Sequence, residues 1–182
     1  MFSVTDFEPS SLRVSPLTKG RRIETAWLDA RGQPVYVTLN GLKVPFPPSV
    51  YNGTGNEAKK NICFSLDDAH QGLHELEQNI REAGAKVIGA AHWNNWIRPE
   101  TDGLSALLKC KVNEATQYFD SACQPVPCPS DDEWRGLTCN ARVLVKAIWV
   151  HNKTAGLLAD VTDLQVLDRQ ETRECPFQNL RT

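Results

Sequence analysis

The stretch from Thr138 to Leu167, TCNARVLVKAIWVHNKTAGLLADVTDLQVL, decides the fold. Thr138 to Val150 and Leu157 to Leu167 are rich in β-branched and aliphatic residues, and neither run has the three-and-four spacing of a helix. The polar segment His151-Asn152-Lys153-Thr154-Ala155-Gly156 between them has a length that hairpins use. Two long antiparallel strands are therefore expected. Strict alternation puts Val143, Val145, Ala147 and Trp149 on one face and Arg142, Leu144, Lys146 and Ile148 on the other. On this count Trp149 belongs to the core, and Arg142 and Lys146 lie on a mixed outer surface.

Further strands precede the hairpin. In Lys59 to Leu66 the residues Ile62, Phe64 and Leu66 face one way, and in Leu104 to Val112 the residues Leu104, Ala106, Leu108, Cys110 and Val112 do so, with Lys109 and Lys111 opposite. Between Arg13 and Val44 the pattern predicts a meander, with strands at Arg21 to Asp29 and Val35 to Leu39. Arg31-Gly32-Gln33-Pro34 breaks the first, and Asn40-Gly41 forms a type I′ turn after the second. Tyr36 points away from Val35 and Val37. One amphipathic helix is predicted over Asp67 to Ala83, from Ala69, Leu73, Leu76, Ile80 and Ala83, with Ser65 or Asp67 as cap and Gly84 as stop. Asn52 to Asn56 reads as an exposed loop, as do the proline-rich residues 124–132.

Strands with turns between them and a single helix point to a mainly β, α+β chain. The fold expected is an OB-like five-stranded Greek-key barrel with one inserted helix and long loops. Residues 1–14 read as an N-terminal segment, 15–167 as the domain and 168–182 as a tail. At 182 residues, 41% hydrophobic and 23% charged, the chain is long enough to bury one ordinary core.

Charge and motifs narrow the function. Lys and Arg number 20 against 22 Asp and Glu, a formal net charge of −2, so a nucleic-acid surface would have to be local. No run approaches the roughly 20 apolar residues of a membrane span, so no membrane partner and an intracellular location are expected. No phosphate loop, GxGxxG, HExxH or GxSxG motif is present, and neither an enzyme nor a cofactor is expected. Cys123, Cys128, Cys139 and His151 make a loose zinc pattern without a second tight pair. His70 and His74 have helical metal-ligand spacing but lack the glutamate of a zincin, and the acid pairs Asp67-Asp68 and Asp131-Asp132 are explained by capping and loop composition.

What is left suits a ligand with a charged backbone and flat bases, because aromatic faces stack on bases while cations line the phosphates. Trp93 and Trp96, in the aperiodic segment His92 to Pro99, are flanked by polar residues and lead as stacking candidates, with Arg98 beside them. Trp27 and Trp134 have no sequence feature that separates packing from binding.

Several stretches taken in order resemble the single-stranded DNA-binding proteins of DNA phages and large DNA viruses. These are Leu42 to Tyr51, Lys60 to Leu66, the helix, Leu107 to Val112, and Val143 to Lys153 with Gly156 to Leu167. The resemblance implies an OB-fold protein that coats single-stranded DNA during replication, recombination or repair. It places Lys43, Lys60, Lys109, Lys111 and Lys146 on or beside the groove, joining Trp93, Trp96, Arg98, Tyr36 and Arg142 as nucleic-acid-binding candidates. Partners would include replication or recombination proteins, and a homo-oligomer through sheet edges is compatible with the pattern. The likely compartment by resemblance is a bacterial host's cytoplasm or a eukaryotic host's nucleus or replication compartment. Phage members commonly end in a strongly acidic tail, whereas Asp168 to Thr182 mixes Arg169, Arg173 and Arg181 with its acids, which speaks against recruitment through the tail. The alternative is a structural or protein-interaction barrel of a virus or phage, in which the aromatic residues pack or form interfaces.

Overall fold

The computed structural model describes residues 9–50, 60–67, 70–89, 91–101 and 105–169. The predicted loop Asn52 to Asn56, Cys175 and the tail beyond residue 169 lie outside them. Twelve strands run in chain order: β1 (Leu12–Val14), β2 (Thr18–Lys19), β3 (Glu24–Ala30), β4 (Val35–Lys43), β5 (Ser49–Val50), β6 (Lys60–Ser65), β7 (His92–Trp93), β8 (Ile97–Arg98), β9 (Leu107–Val112), β10 (Gln117–Phe119), β11 (Leu137–His151) and β12 (Thr154–Arg169). One α-helix, α1 (Gly72–Ile88), separates β6 from β7. The chain is mainly β with a single helix, as the sequence predicts.

The hairpin β11–β12 is the longest ladder, but its connector is shorter than the sequence suggests. His151 pairs with Thr154 and Trp149 with Gly156, so only Asn152 and Lys153 turn the chain, at φ 46° and 60°. Positive φ at both central residues is the signature of a type I′ turn, whose twist matches that of the strands. Register shifts within β11 then alter the expected facing. The one between Val145 and Ala147 reverses the alternation, so Val143, Val145 and Ile148 share the core and Trp149 does not. The expected core position of Trp149 is thus corrected: a bulge inserts one residue and moves every later side chain to the opposite face.

The meander is also corrected. β3 and β4 do not form a hairpin; they follow one another along the edge of β11 that β12 leaves open, β3 opposite Ala147 to Val150 and β4 opposite Thr138 to Val145. Asn40 and Gly41 lie inside β4 rather than in a turn. The positive φ inferred for Gly41 is present, at 68°, but it serves a bulge opposite Asn140, whose Oδ1 accepts the Gly41 N–H at 3.0 Å.

Following partners from β11 to β4, β6, β9 and β12 leads back to β11. Two of these seams, β4–β6 and β9–β12, rest on one residue pair each, Lys43 with Ser65 and Asp160 with Lys111. Val37, Leu39, Ile62, Phe64, Leu108, Val143, Val161 and Leu164 are among the buried side chains inside. β1 extends the sheet through β3, with Leu12 opposite Ala30 and buried, so this part of the N-terminal segment is integral to the sheet.

Helix α1 starts and ends later than predicted. Gly84 does not stop it: a Cβ there would come within 2.5 Å of Ile148 Cδ1, so its lack of a side chain admits β11 to the helix surface. Gly89, at φ 62°, closes the helix instead. His70 precedes it and is buried, with Nδ1 2.6 Å from Asp67 Oδ1 and Nε2 3.1 Å from Asn40 O. Its ring ties the helix entry to the bulge in β4.

Candidate nucleic-acid interface

On strands β3, β4 and β11 the alternation leaves one face outside the core. β3 buries Ala26, Leu28 and Ala30, so Thr25, Trp27 and Asp29 face outward. Trp27 is 54% exposed, an unusual state for so large an apolar surface. It pairs with Ala147 while Thr25 pairs with Trp149, which makes the two indoles diagonal neighbours on one surface. Farther along, Tyr36 pairs with Leu144 and Thr38 with Arg142. The Arg142 guanidinium lies 4.2 Å from the centre of the Tyr36 ring, a cation–π contact, and 3.9 Å from Asp163 Oδ2. Two indoles, a phenol and a guanidinium thus share this face.

At the hairpin end a groove of about 300 Å³ is lined by Lys19, Arg21, Arg22, His151 and Lys153 among others. The turn brings it there: Lys19 and Thr18 pair with Glu24 and Thr25, next to Trp149 and Val150. Cations beside aromatic faces form the arrangement that binds an unpaired polynucleotide by stacking and phosphate contact.

The residues expected from sequence divide among several places. Tyr36 and Arg142 are on the face just described. Lys146 is nearby, but its ammonium is bonded to the Asp160 carboxylate. Lys43 and Lys109 are exposed and Lys111 half-buried on the outer side of β4 and β9, opposite Ser65, Cys63 and Asn61 respectively. Lys60 has the parity of the core-facing residues and lines a cleft with Tyr118 and Trp134.

Trp93 and Trp96 are corrected. They are 6% and 4% exposed and belong to the core, leaving no ring face for a base. The cause is Glu77 of α1, itself 7% exposed. Its Oε1 accepts Trp93 Nε1–H at 2.9 Å and Trp96 N–H at 2.5 Å, and its Oε2 accepts Ile97 N–H at 3.4 Å. Trp96 Nε1–H donates to Lys109 O at 2.9 Å. Arg98 is exposed, beside Arg81 and His92 in a cavity of about 480 Å³ near the helix.

Trp27 and the Lys19-Gly20-Arg21-Arg22 run are the features sequence reasoning missed. The alternation of Thr25, Trp27 and Asp29 against Ala26, Leu28 and Ala30 carried the signal, because small and aliphatic residues fill the opposite face.

Among the described residues no three His, Cys, Asp or Glu side chains cluster to hold a metal. The loose zinc pattern is drawn apart: Cys139 is buried near one end of β11, while Cys123 and Cys128 are exposed. His151 is at the other end, about 40 Å along an extended strand. No helix of the described residues is long and apolar enough to cross a membrane.

No family model matches the chain, and no curated protein matches it in sequence. Solved structures do match in fold. The C-terminally truncated single-stranded DNA-binding protein from bacteriophage Enc34 superimposes with a TM-score of 0.54 at 11% identity, covering 87% of this chain and 97% of that one. The same phage protein in complex with ssDNA gives 0.51 at 12% identity, covering 84% and 94%. Bacteriophage T7 gp2.5, a single-stranded DNA-binding protein, gives 0.50 at 9% identity, covering 75% and 87%. At these identities the likeness is one of fold.

Proposed function

We propose that this chain binds single-stranded DNA with little sequence preference and coats strands exposed during replication, recombination or repair. The ring of β4, β6, β9, β12 and β11 is, on this reading, an OB-type Greek-key barrel. Taken in chain order its strands lie first, second, third, fifth and fourth around the ring. The observation that carries the reading is Trp27, largely exposed beside Trp149 on a face that also holds Tyr36 and Arg142 and ends in a basic groove. Stacking is worth about 1–3 kcal/mol per base and tolerates any sequence, because every base has a π-face. The fold shared with phage proteins named as single-stranded DNA-binding supports the same ligand.

The mechanism follows from the residues. Bases stack on Trp27 and on whatever of Trp149 and Tyr36 the strand uncovers, while phosphates meet Arg142 and the cations of the groove. Lys43, Lys109 and Lys111 extend the positive surface along the other side of the ring. Nothing in this arrangement requires a cofactor or performs a reaction, so the role is binding.

The test is an oligo-dT titration followed by Trp fluorescence and gel shift at two salt concentrations, set beside duplex and RNA. Quenching that weakens at high salt is expected, since counterion release drives part of the binding. Absence of both quenching and gel shift at low salt would overturn the proposal. A Trp27→Ala variant that loses self-association and leaves DNA binding intact would favour a protein-interaction barrel instead.

A further inference from the structure

A cleft of about 360 Å³ opens at the Lys60–Val112 end of the β6–β9 pair, whereas α1 follows the Ser65 end. It is separate from the Trp27 face. Its lining includes Val112, Thr116, Tyr118 and Trp134, with Lys60 and Glu114 as the charged members.

Trp134 is 1% exposed and meets Tyr118 edge to face, the ring centres 5.9 Å apart. A capping box at Ser130 and Glu133 sets the short turn that delivers it. Its Nε1–H is buried and has no hydrogen-bond partner. A buried N–H left unpaired is costly, and native structures rarely keep one without a purpose.

The rest of the wall is engaged. Thr116 Oγ1 donates to Val161 O at 2.8 Å and accepts Asn113 N–H at 3.1 Å. Asn113 Oδ1 accepts Ala115 N–H at 2.9 Å. The Tyr118 hydroxyl is hydrogen-bonded to the Cys128 thiol. The one open donor is therefore the indole of Trp134.

The geometry points to a pocket for a single nucleobase, whose edge acceptor takes the Trp134 Nε1–H and whose phosphate lies toward Lys60. The volume is at the small end of ligand sites, where one flat heterocycle fits and a run of backbone does not. Glu114 on the lining repels a second phosphate, so the pocket takes a terminal or everted nucleotide. The choice of a nucleobase rests on the single-stranded DNA reading above.

The test is an NMR titration of the full-length ¹⁵N-labelled chain with thymidine monophosphate, in parallel with inorganic phosphate alone. The Trp134 indole resonance is assigned through Trp134→Phe, which keeps an aromatic ring in the core and removes the donor. Thymidine monophosphate is expected to shift that resonance, phosphate alone to leave it in place, and Trp134→Phe to weaken mononucleotide binding at least tenfold. If the variant does not fold, the wild-type titration with assignment through the backbone decides. A resonance unmoved by millimolar nucleotide while oligo-dT still quenches Trp fluorescence overturns the pocket and leaves the DNA reading standing. A resonance that moves while oligo-dT fails to bind supports the pocket and overturns the DNA reading. An equal shift by phosphate alone overturns the nucleobase as ligand.

Discussion

Trp149 lies across Gly156: a Cβ placed on the glycine would come within 2.9 Å of three atoms of the indole. The two residues are paired in the β11–β12 ladder, so the absence of a side chain on one strand seats the ring of the other. The backbone at Gly156 is not in the left-handed region, and alanine is barred there only by the ring.

Gly156→Ala is therefore expected to displace the Trp149 indole, at a cost of about 1–3 kcal/mol for overpacking. Intrinsic fluorescence should change and the urea midpoint should fall. An unchanged spectrum and midpoint would mean that the ring does not depend on the glycine.

Trp27→Ala and Trp93→Ala separate a binding indole from a packing one. The first is expected to weaken oligo-dT binding by about 1–3 kcal/mol with little change in stability. The second removes a core ring and is expected to cost about 3–5 kcal/mol of stability. Parallel fluorescence titrations and urea melts read both effects.

Glu77→Ala strips the acceptor from Trp93 Nε1–H, Trp96 N–H and Ile97 N–H together. Each buried donor left unpaired costs about 1–3 kcal/mol, so a loss of at least about 3 kcal/mol is expected. Glu77→Gln keeps the shape and an acceptor oxygen, and should lose less. Equal urea midpoints for the two variants would contradict the hydrogen-bonding role.

Burial pushes the Cys139 thiol up from 9.0 to about 12, and Cys110 higher still through burial first and then the nearby Cys63 and Asp160. The folded chain thus holds protons that the unfolded chain releases. The corresponding stability is whole below pH 9.0 and is lost as pH rises from there through about 12. Urea midpoints should fall over that window, less steeply in Cys139→Ala. In the native state at pH 8, a thiol reagent should label Cys123 and Cys128 and spare Cys110 and Cys139, which become reactive on unfolding.

Arg21→Ala combined with Arg22→Ala should lower affinity for oligo-dT and flatten its salt dependence. Each phosphate contact removed reduces the slope of log K against log salt by about 0.7 for a single strand. An unaltered slope would take the groove out of the DNA path.

Much of the secondary structure was legible because it depends on local alternation. Ile62, Phe64, Leu108, Cys110 and Val112 are buried where period two puts them, and the single helix carries Leu73, Leu76 and Ile80 inward. The signals at Asn40-Gly41 and Gly84 were real as well, since one position has positive φ and the other has no room for a Cβ. Their meaning differed from the expected turn and helix stop because Asn140 and Ile148, distant in sequence, set what each glycine is for.

The interface was less legible. Trp93 and Trp96 have polar neighbours in sequence, but the partner that buries them is a carboxylate on the apolar stripe of a helix 16 residues earlier for Trp93. Glu77 among Leu73, Leu76 and Ile80 was the available sign, since a charge on a buried face needs donors. Trp149 was misplaced by a bulge that alternation does not reveal.

By itself the sequence determined which segments are strands, where the one helix lies and that no strong global charge attracts a polyanion, since all of these follow from neighbours in the chain. The tertiary structure alone decided which aromatic rings are open. Exposure of a ring depends on register and on what packs over it: Trp27 faces outward beside Ala147, while Trp93 is sealed by its hydrogen bond to Glu77.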